Sequence, residues 1–211
     1  MDDVRVVFEE IVEGLGELLQ LRGFSSLSNE TFVLREGDCA YRCSLTMLRP
    51  KIAGSRTLEL SAGVCFLPVW AFLGECRLFA GLDKFSVAGC GGAHYGILPR
   101  GYEPSWTPIS NQTDSVKCVE SLRDDVIQYV LPFLEEHSNI NRAISYWLRS
   151  SRRDELVAAA AMFLSGRKND SNALLRSIEQ NAKEEVEQSG LPADRLWFER
   201  VGTFSAFMSA E

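Results

Sequence analysis

The residues of this chain best suited to nucleophilic chemistry are Cys90 and His94, which bracket a glycine-rich run, Gly89-Cys90-Gly91-Gly92-Ala93-His94. A thiolate beside an imidazole is an activated nucleophile if folding brings the two together. A pocket near Cys90, His94 and Trp106 would then make the protein a small enzyme or a ligand-binding protein. The same glycines lack the Lys-Ser/Thr of a phosphate-binding loop and the Gly-x-Gly-x-x-Gly dinucleotide spacing, so phosphate binding is not expected. Cys39 and Cys43 stand four apart in a segment whose alternation reads as a strand. At about 3.3 Å per residue that places them roughly 13 Å apart, too far to share one zinc ion. His137 follows Glu135 and Glu136 at the expected end of a helix, where a cation complements the dipole and a capping role suffices. Asp124 and Asp125 are neighbours, about 100° apart around a helix, and do not form a carboxylate dyad. No catalytic set, metal site or cofactor is expected, and the balance favours a protein that is not an enzyme.

The acidic residues are more regular. Glu9, Glu13 and Glu17 recur every four residues and share one helix face, with Glu10 beside them, and Glu120 and Asp124 repeat the spacing later in the chain. Such like-charged neighbours cost about 0.2–0.5 kcal/mol per pair. One reading is a solvated face on each helix, with Arg5 placed to offset the first of them. The other is a negative surface kept for a cationic partner. Trp70, Tyr102 and Trp106 lie near expected loops or sheet edges, where an exposed aromatic side chain can anchor a partner.

The elements that must hold these residues follow from periodicity. Val4, Val7, Phe8, Ile11, Val12, Leu15, Leu18 and Leu19 recur at helical spacing, and Gly23 is a stop signal. Ser25–Glu30 reads as a loop. Thr31–Arg35 and the alternation of Tyr41, Cys43, Leu45 and Met47 predict a strand pair turning at Glu36-Gly37-Asp38, and Leu58 to Phe66 keeps period two until Pro68. Residues 69–98 suit a short helix or irregular packing, with Gly89–Gly92 as a loop. Three prolines between 97 and 109 leave room for a short or edge strand at most. Beyond that the pattern is helical. Asp114 or Ser115 caps a helix interrupted at Pro132. Ser151-Arg152-Arg153-Asp154 resembles a capping box ahead of Leu156–Leu164. Gly166 ends that helix, and Asp170 or Ser171 caps the next. An apolar tail runs from Leu196 to Phe207. The expected fold is α+β: an N-terminal helix packed on an antiparallel β meander, followed by a helical C-terminal half. Residues 1–148 form the α+β domain, and 149–211 a helical extension, an αα-hairpin plus the apolar tail, packed on it.

Composition bounds what such a fold does. The chain has 211 residues, 29 acidic and 22 basic, a net charge of −7. The excess is local, −6 over residues 1–39 and −4 over 111–138. Without a dense Lys/Arg run the chain is not expected to bind nucleic acid, whose affinity depends on neutralising phosphates. The longest uncharged stretch, Leu60 to Gly74, contains Pro68 and is shorter than the roughly 20 residues of a membrane-spanning helix. Met1-Asp2-Asp3 lacks the basic and apolar regions of a signal peptide, and the six cysteines read as reduced thiols. A cytoplasmic location is expected.

The order of a first helix ending Leu21-Arg22-Gly23-Phe24, then Thr31-Phe32-Val33-Leu34-Arg35, a strand meander, Trp106 and Leu131-Pro132-Phe133-Leu134 resembles a family of small bacterial α+β domains classified only as of unknown function. The resemblance covers residues 4–148 and implies a helix packed on an antiparallel sheet with a second helix closing the domain. It carries over no catalytic residues. The function expected from these features is a non-enzymatic protein-binding module, in its sharpest form an immunity protein that neutralises a basic bacterial toxin by occluding it. Its contact residues would be Glu9, Glu13, Glu17, Glu120, Asp124, Trp70, Tyr102 and Trp106. A scaffold or oligomerisation module, using residues 149–211 as its interface, is the third expectation.

Overall fold

The structure, a computed structural model, describes residues 3–48, 56–94 and 107–211. Its contacts group the chain into two compact units, residues 1–64 with 91–138 and residues 65–90 with 139–211. The fold class is α+β.

In the first unit the opening helix, α1 (Asp3–Leu21), buries Phe8, Ile11, Leu15 and Leu19 almost completely. Gly23, at φ 87°, ends it. The Phe24 N–H reaches the Leu19 carbonyl at 3.0 Å and the Gly23 N–H reaches Gln20 at 2.9 Å. These paired bonds define a Schellman motif, which needs a left-handed residue at that position. The chain then turns back into β1 (Ser25–Ser28), β2 (Thr31–Glu36) and β3 (Cys39–Leu48), each antiparallel to the next. Glu36 pairs with Cys39 across a two-residue turn in which Gly37 takes φ 55°. The sheet continues with β4 (Arg56–Phe66) and β5 (Gly89–His94), in the order β1-β2-β3-β4-β5. β6 (Thr107–Ile109) also pairs with β4, along Arg56–Leu58. Since β3 occupies one edge of β4, β5 and β6 share the other.

Two segments read as loops are strands. Ser25–Ser28 is β1, and its four residues are all exposed. It shows no alternation of apolar and polar side chains, the signal by which a strand is recognised. Gly89–Gly92 opens β5, where three glycines mask strand propensity. At Gly89 the reason for glycine is visible: a Cβ there would lie 2.0 Å from the Phe85 carbonyl oxygen.

The first unit closes with α4 (Ser115–Asp125), a π-helical turn (Val126–Val130) and α5 (Leu131–His137). The Asp114 carboxylate accepts from the Lys117 N–H at 3.2 Å as N-cap. Pro132 has no N–H to continue an α-helical ladder, and the turn before it is widened, with the Leu131 N–H reaching back to Val126. His137 Nδ1 lies 2.9 Å from the Phe133 carbonyl, and its ring sits 4.1 Å from the Phe133 ring, a helix-end contact.

The second unit holds α2 (Leu67–Gly74), α3 (Lys84–Val87), α6 (Ile140–Trp147), α7 (Arg152–Leu164), α8 (Lys168–Ser189) and α9 (Pro192–Ala210). Seven consecutive residues of α7, Leu156–Met162, are buried, four of them alanine. A helix apolar all round is a core helix, and α7 packs against α2, α6, α8 and α9. The Ser151 hydroxyl accepts from the Asp154 N–H at its start, as a capping box requires. Ser171 is not a cap, because α8 already begins at Lys168. Its buried hydroxyl donates to the Ala159 carbonyl at 2.8 Å and ties α8 to α7. Trp147 is fully buried, edge-on to Phe66 at 5.7 Å, and its indole N–H donates to the Gly89 carbonyl at 3.0 Å.

Candidate functional site

Three of the predicted site residues come together. The face of α1 that carries Glu9, Glu13 and Glu17 forms one wall of a groove of about 500 Å³. Ser26, Asn29 and Glu30, from β1 and the turn after it, form the other. Phe8, Val12, Gly16 and Phe32 make an apolar floor. The groove exists because β1 runs back along α1 after the Gly23 turn, bringing Glu30 near the start of the helix. Gly16 lets α1 approach β2 at the floor of the groove, since a Cβ at this position would fall 2.9 Å from Phe32 Cζ.

Among the described residues of the lining, four glutamates face one arginine. Arg5 Nε is bonded to Glu9 at 2.9 Å, and its Nη2 lies 3.6 Å from Glu30. The hydrogen bond to Glu9 has the largest effect and raises the guanidinium pKa; burial opposes it, and the charges of Glu9 and then Glu30 add smaller upward effects. Arg5 is thereby committed at one end of the groove. Further along, Glu17 is 69% exposed and lies 3.6 Å from Arg123, which also donates to the Gly14 carbonyl at 3.2 Å. Glu13 makes no ion pair among the described residues. The middle of the groove therefore presents the Glu13 carboxylate to solvent, and at the far end the Glu17 side chain stays largely exposed beside Arg123.

The helix opposite sets the limits of this surface. Glu10 accepts from the Ser115 hydroxyl at 2.6 Å, Gly14 faces Val119, and Glu17 meets Arg123. Rising numbers meet rising numbers, so α1 and α4 run parallel. Glu120 and Asp124 are exposed on α4 but do not line the groove. They stand roughly 100° and 140° around the helix from Val119, at about 100° per residue. The acidic residues thus divide into a concave set on α1 and an outer pair on α4.

The remaining predicted residues are elsewhere. Trp70 is 39% exposed on α2, in the second unit. Tyr102 and Trp106 lie outside the described residues, as do the side chains of Cys90 and His94. The pocket expected around Cys90, His94 and Trp106 therefore falls outside what the structure describes. Burial raises the thiol pKa of Cys39, Cys76 and Cys118, and pushes Cys43 up to about 12. A nucleophilic cysteine requires the opposite shift. Among the described residues no group of three His, Cys, Asp or Glu side chains could hold a metal ion. Nor is any helix long and apolar enough to cross a membrane.

Sequence reasoning missed Ser26, Asn29 and Glu30 as partners of the α1 face, because the segment carrying them reads as a loop. The signal that could have found them is Arg5, one turn before Glu9 and near the end of α1 to which an antiparallel return would bring Glu30. No protein-family model, curated protein or solved structure matches this chain.

Proposed function

We propose that this chain is a non-enzymatic protein-binding module whose α1 groove takes up a basic region of a partner protein. The observation that carries this reading is the groove itself. Glu9, Glu13, Glu17 and Glu30 line it against Arg5, whose guanidinium two of them already engage. A concave surface of one charge sign raises the local concentration of an oppositely charged partner and speeds its docking. The floor residues Phe8, Val12 and Phe32 are themselves buried, so the glutamate side chains are the groove's main contact groups. The finer form of the reading is an immunity protein that neutralises a basic bacterial toxin by covering it.

The test begins with the partner captured from the native host by the full chain. Reversing Glu13 and Glu17 together to Lys is expected to slow association about tenfold at low salt and to flatten its salt dependence. Both residues are exposed, so the variant keeps the wild-type fold, which circular dichroism checks. An association rate indifferent to the reversal and to salt overturns the groove reading. A captured partner that is a toxin, inhibited on addition of the chain, supports the finer form; a partner with no such activity overturns that form alone.

A further inference from the structure

The groove has a second property besides its charge: one of its walls belongs to the edge of the sheet. Among the described residues β1 pairs with β2 alone, and all four of its residues are exposed. An edge strand offers a row of unpaired N–H and C=O groups, and proteins usually guard such edges with charge, proline or irregularity. β1 is short and its register shifts between Ser26 and Ser28, but Ser25-Ser26-Leu27-Ser28 carries neither charge nor proline. The charges that guard it stand beside it, on α1 and at Glu30, and those facing the open part of the groove are acidic. Guarding of one sign is selective. It disfavours pairing with a second acidic edge, including another copy of β1, and leaves a basic strand favoured.

The spacings agree with that selection. Glu9, Glu13 and Glu17 recur every four helical residues, about 6 Å of rise per step. Side chains on one face of an extended strand recur every two residues, about 6.7 Å per step. The mismatch is below about 1 Å per step, within the reach of flexible Lys and Arg side chains. We propose that the free edge of β1 pairs with an extended basic segment of the partner in which Lys or Arg recurs at alternate positions and meets Glu13 and Glu17, beyond the Glu9 carboxylate that Arg5 holds. This rests on the groove reading above and adds to it the conformation and sequence pattern of what binds. Backbone hydrogen bonds to β1 hold the segment, and the alternate cations set its register.

The experiment uses the full chain and three short synthetic peptides: one alternating lysine with threonine, the same peptide N-methylated at alternate backbone amides, and one of equal composition with its lysines in a single block. Fluorescence anisotropy at low salt measures affinity, and amide hydrogen exchange reads β1. The alternating peptide is expected to bind and to slow exchange within Ser25–Ser28. N-methylation, which removes backbone donors while keeping every charge, is expected to weaken it about tenfold or more. The double variant Glu13→Gln with Glu17→Gln weakens it without altering the circular dichroism of the chain. Three peptides of equal affinity, with exchange in β1 unchanged, overturn strand addition and leave the groove reading standing. If no peptide binds while reversal at Glu13 and Glu17 still slows the native partner, strand addition is again overturned, and a folded basic surface is what the groove holds. If neither peptides nor partner respond to the glutamates, the groove reading itself falls.

Discussion

The ring of Phe32 lies against the backbone of α1 at Gly16, where a Cβ would approach Cζ to 2.9 Å. Gly16 is in the interior of a helix, a position where alanine is favoured by about 1 kcal/mol on propensity alone. Phe32 is 3% exposed, so its ring has little room to turn aside. Overpacking of this kind costs about 1–3 kcal/mol and outweighs the propensity gain. Gly16→Ala is therefore expected to lower stability by about 1 kcal/mol in urea unfolding and to weaken binding in the groove. An increase in stability would show that the ring moves freely.

Gly89→Ala is the more severe change. The added Cβ would meet the Phe85 carbonyl oxygen at 2.0 Å, and the obstacle is backbone, which cannot rotate away. The same residue's carbonyl receives the indole N–H of Trp147, the largest fully buried side chain among the described residues. Loss of about 3 kcal/mol or more is expected, at the upper end of single substitutions. Thermal unfolding checks it, with Gly74→Ala, where a Cβ would meet nothing within 4 Å, as the mild control.

Cys43 controls part of the alkaline limit. Burial pushes its thiol up to about 12 in the folded chain, from 9.0 as its ordinary value. Below pH 9 both states hold the proton and the folded state keeps the full benefit. Between pH 9 and 12 the unfolded chain releases it and the folded chain does not, so stability falls by up to about 1.4 kcal/mol per pH unit from this group. Cys43→Ala is expected to be less stable at neutral pH, from the lost buried sulfur, and to lose stability less steeply above pH 9. Urea unfolding of both proteins from pH 8 to 10.5 measures the two slopes; parallel slopes refute the assignment.

Arg5→Ala is expected to strengthen the uptake of basic peptides. The substitution releases Glu9 and Glu30 from their shared partner and makes the groove more negative at the end it now neutralises. Both ion pairs are solvent-exposed, and pairs of that kind add little to stability, so Tm is expected to change little. Affinity for the alternating lysine peptide, measured against Tm, separates the two effects.

Much of the secondary structure was legible because its causes are local. Gly23 and Gly166 end their helices through left-handed backbone, Asp114 and Ser151 cap theirs through their own side chains, and the period of Phe8, Ile11, Leu15 and Leu19 marks a buried helix face. β1 and β5 were not legible, because serine and glycine carry no alternation; β1 exists through its hairpin with β2, and β5 through pairing with β4, a strand distant in sequence. Ser171 shows the same limit in one residue. Its type suits a helix cap, and its position one turn inside α8 makes it a buried tie to Ala159 instead.

By itself the sequence determined that Glu9, Glu13 and Glu17 share a helix face, since four residues are close to one turn, and that the fold combines a meander with helices, since periods of 2 and 3.6 are read directly. Tertiary structure decided that this face is one wall of a groove rather than an open surface. That required β1 to fold back along α1, Glu30 to reach Arg5, and a glycine to admit the Phe32 ring. It also decided that residues 65–90 group with 139–211, through contacts such as Trp147 on Gly89. Each of these is a contact between residues far apart in the chain, and its energy comes from burial and fit that no local pattern encodes.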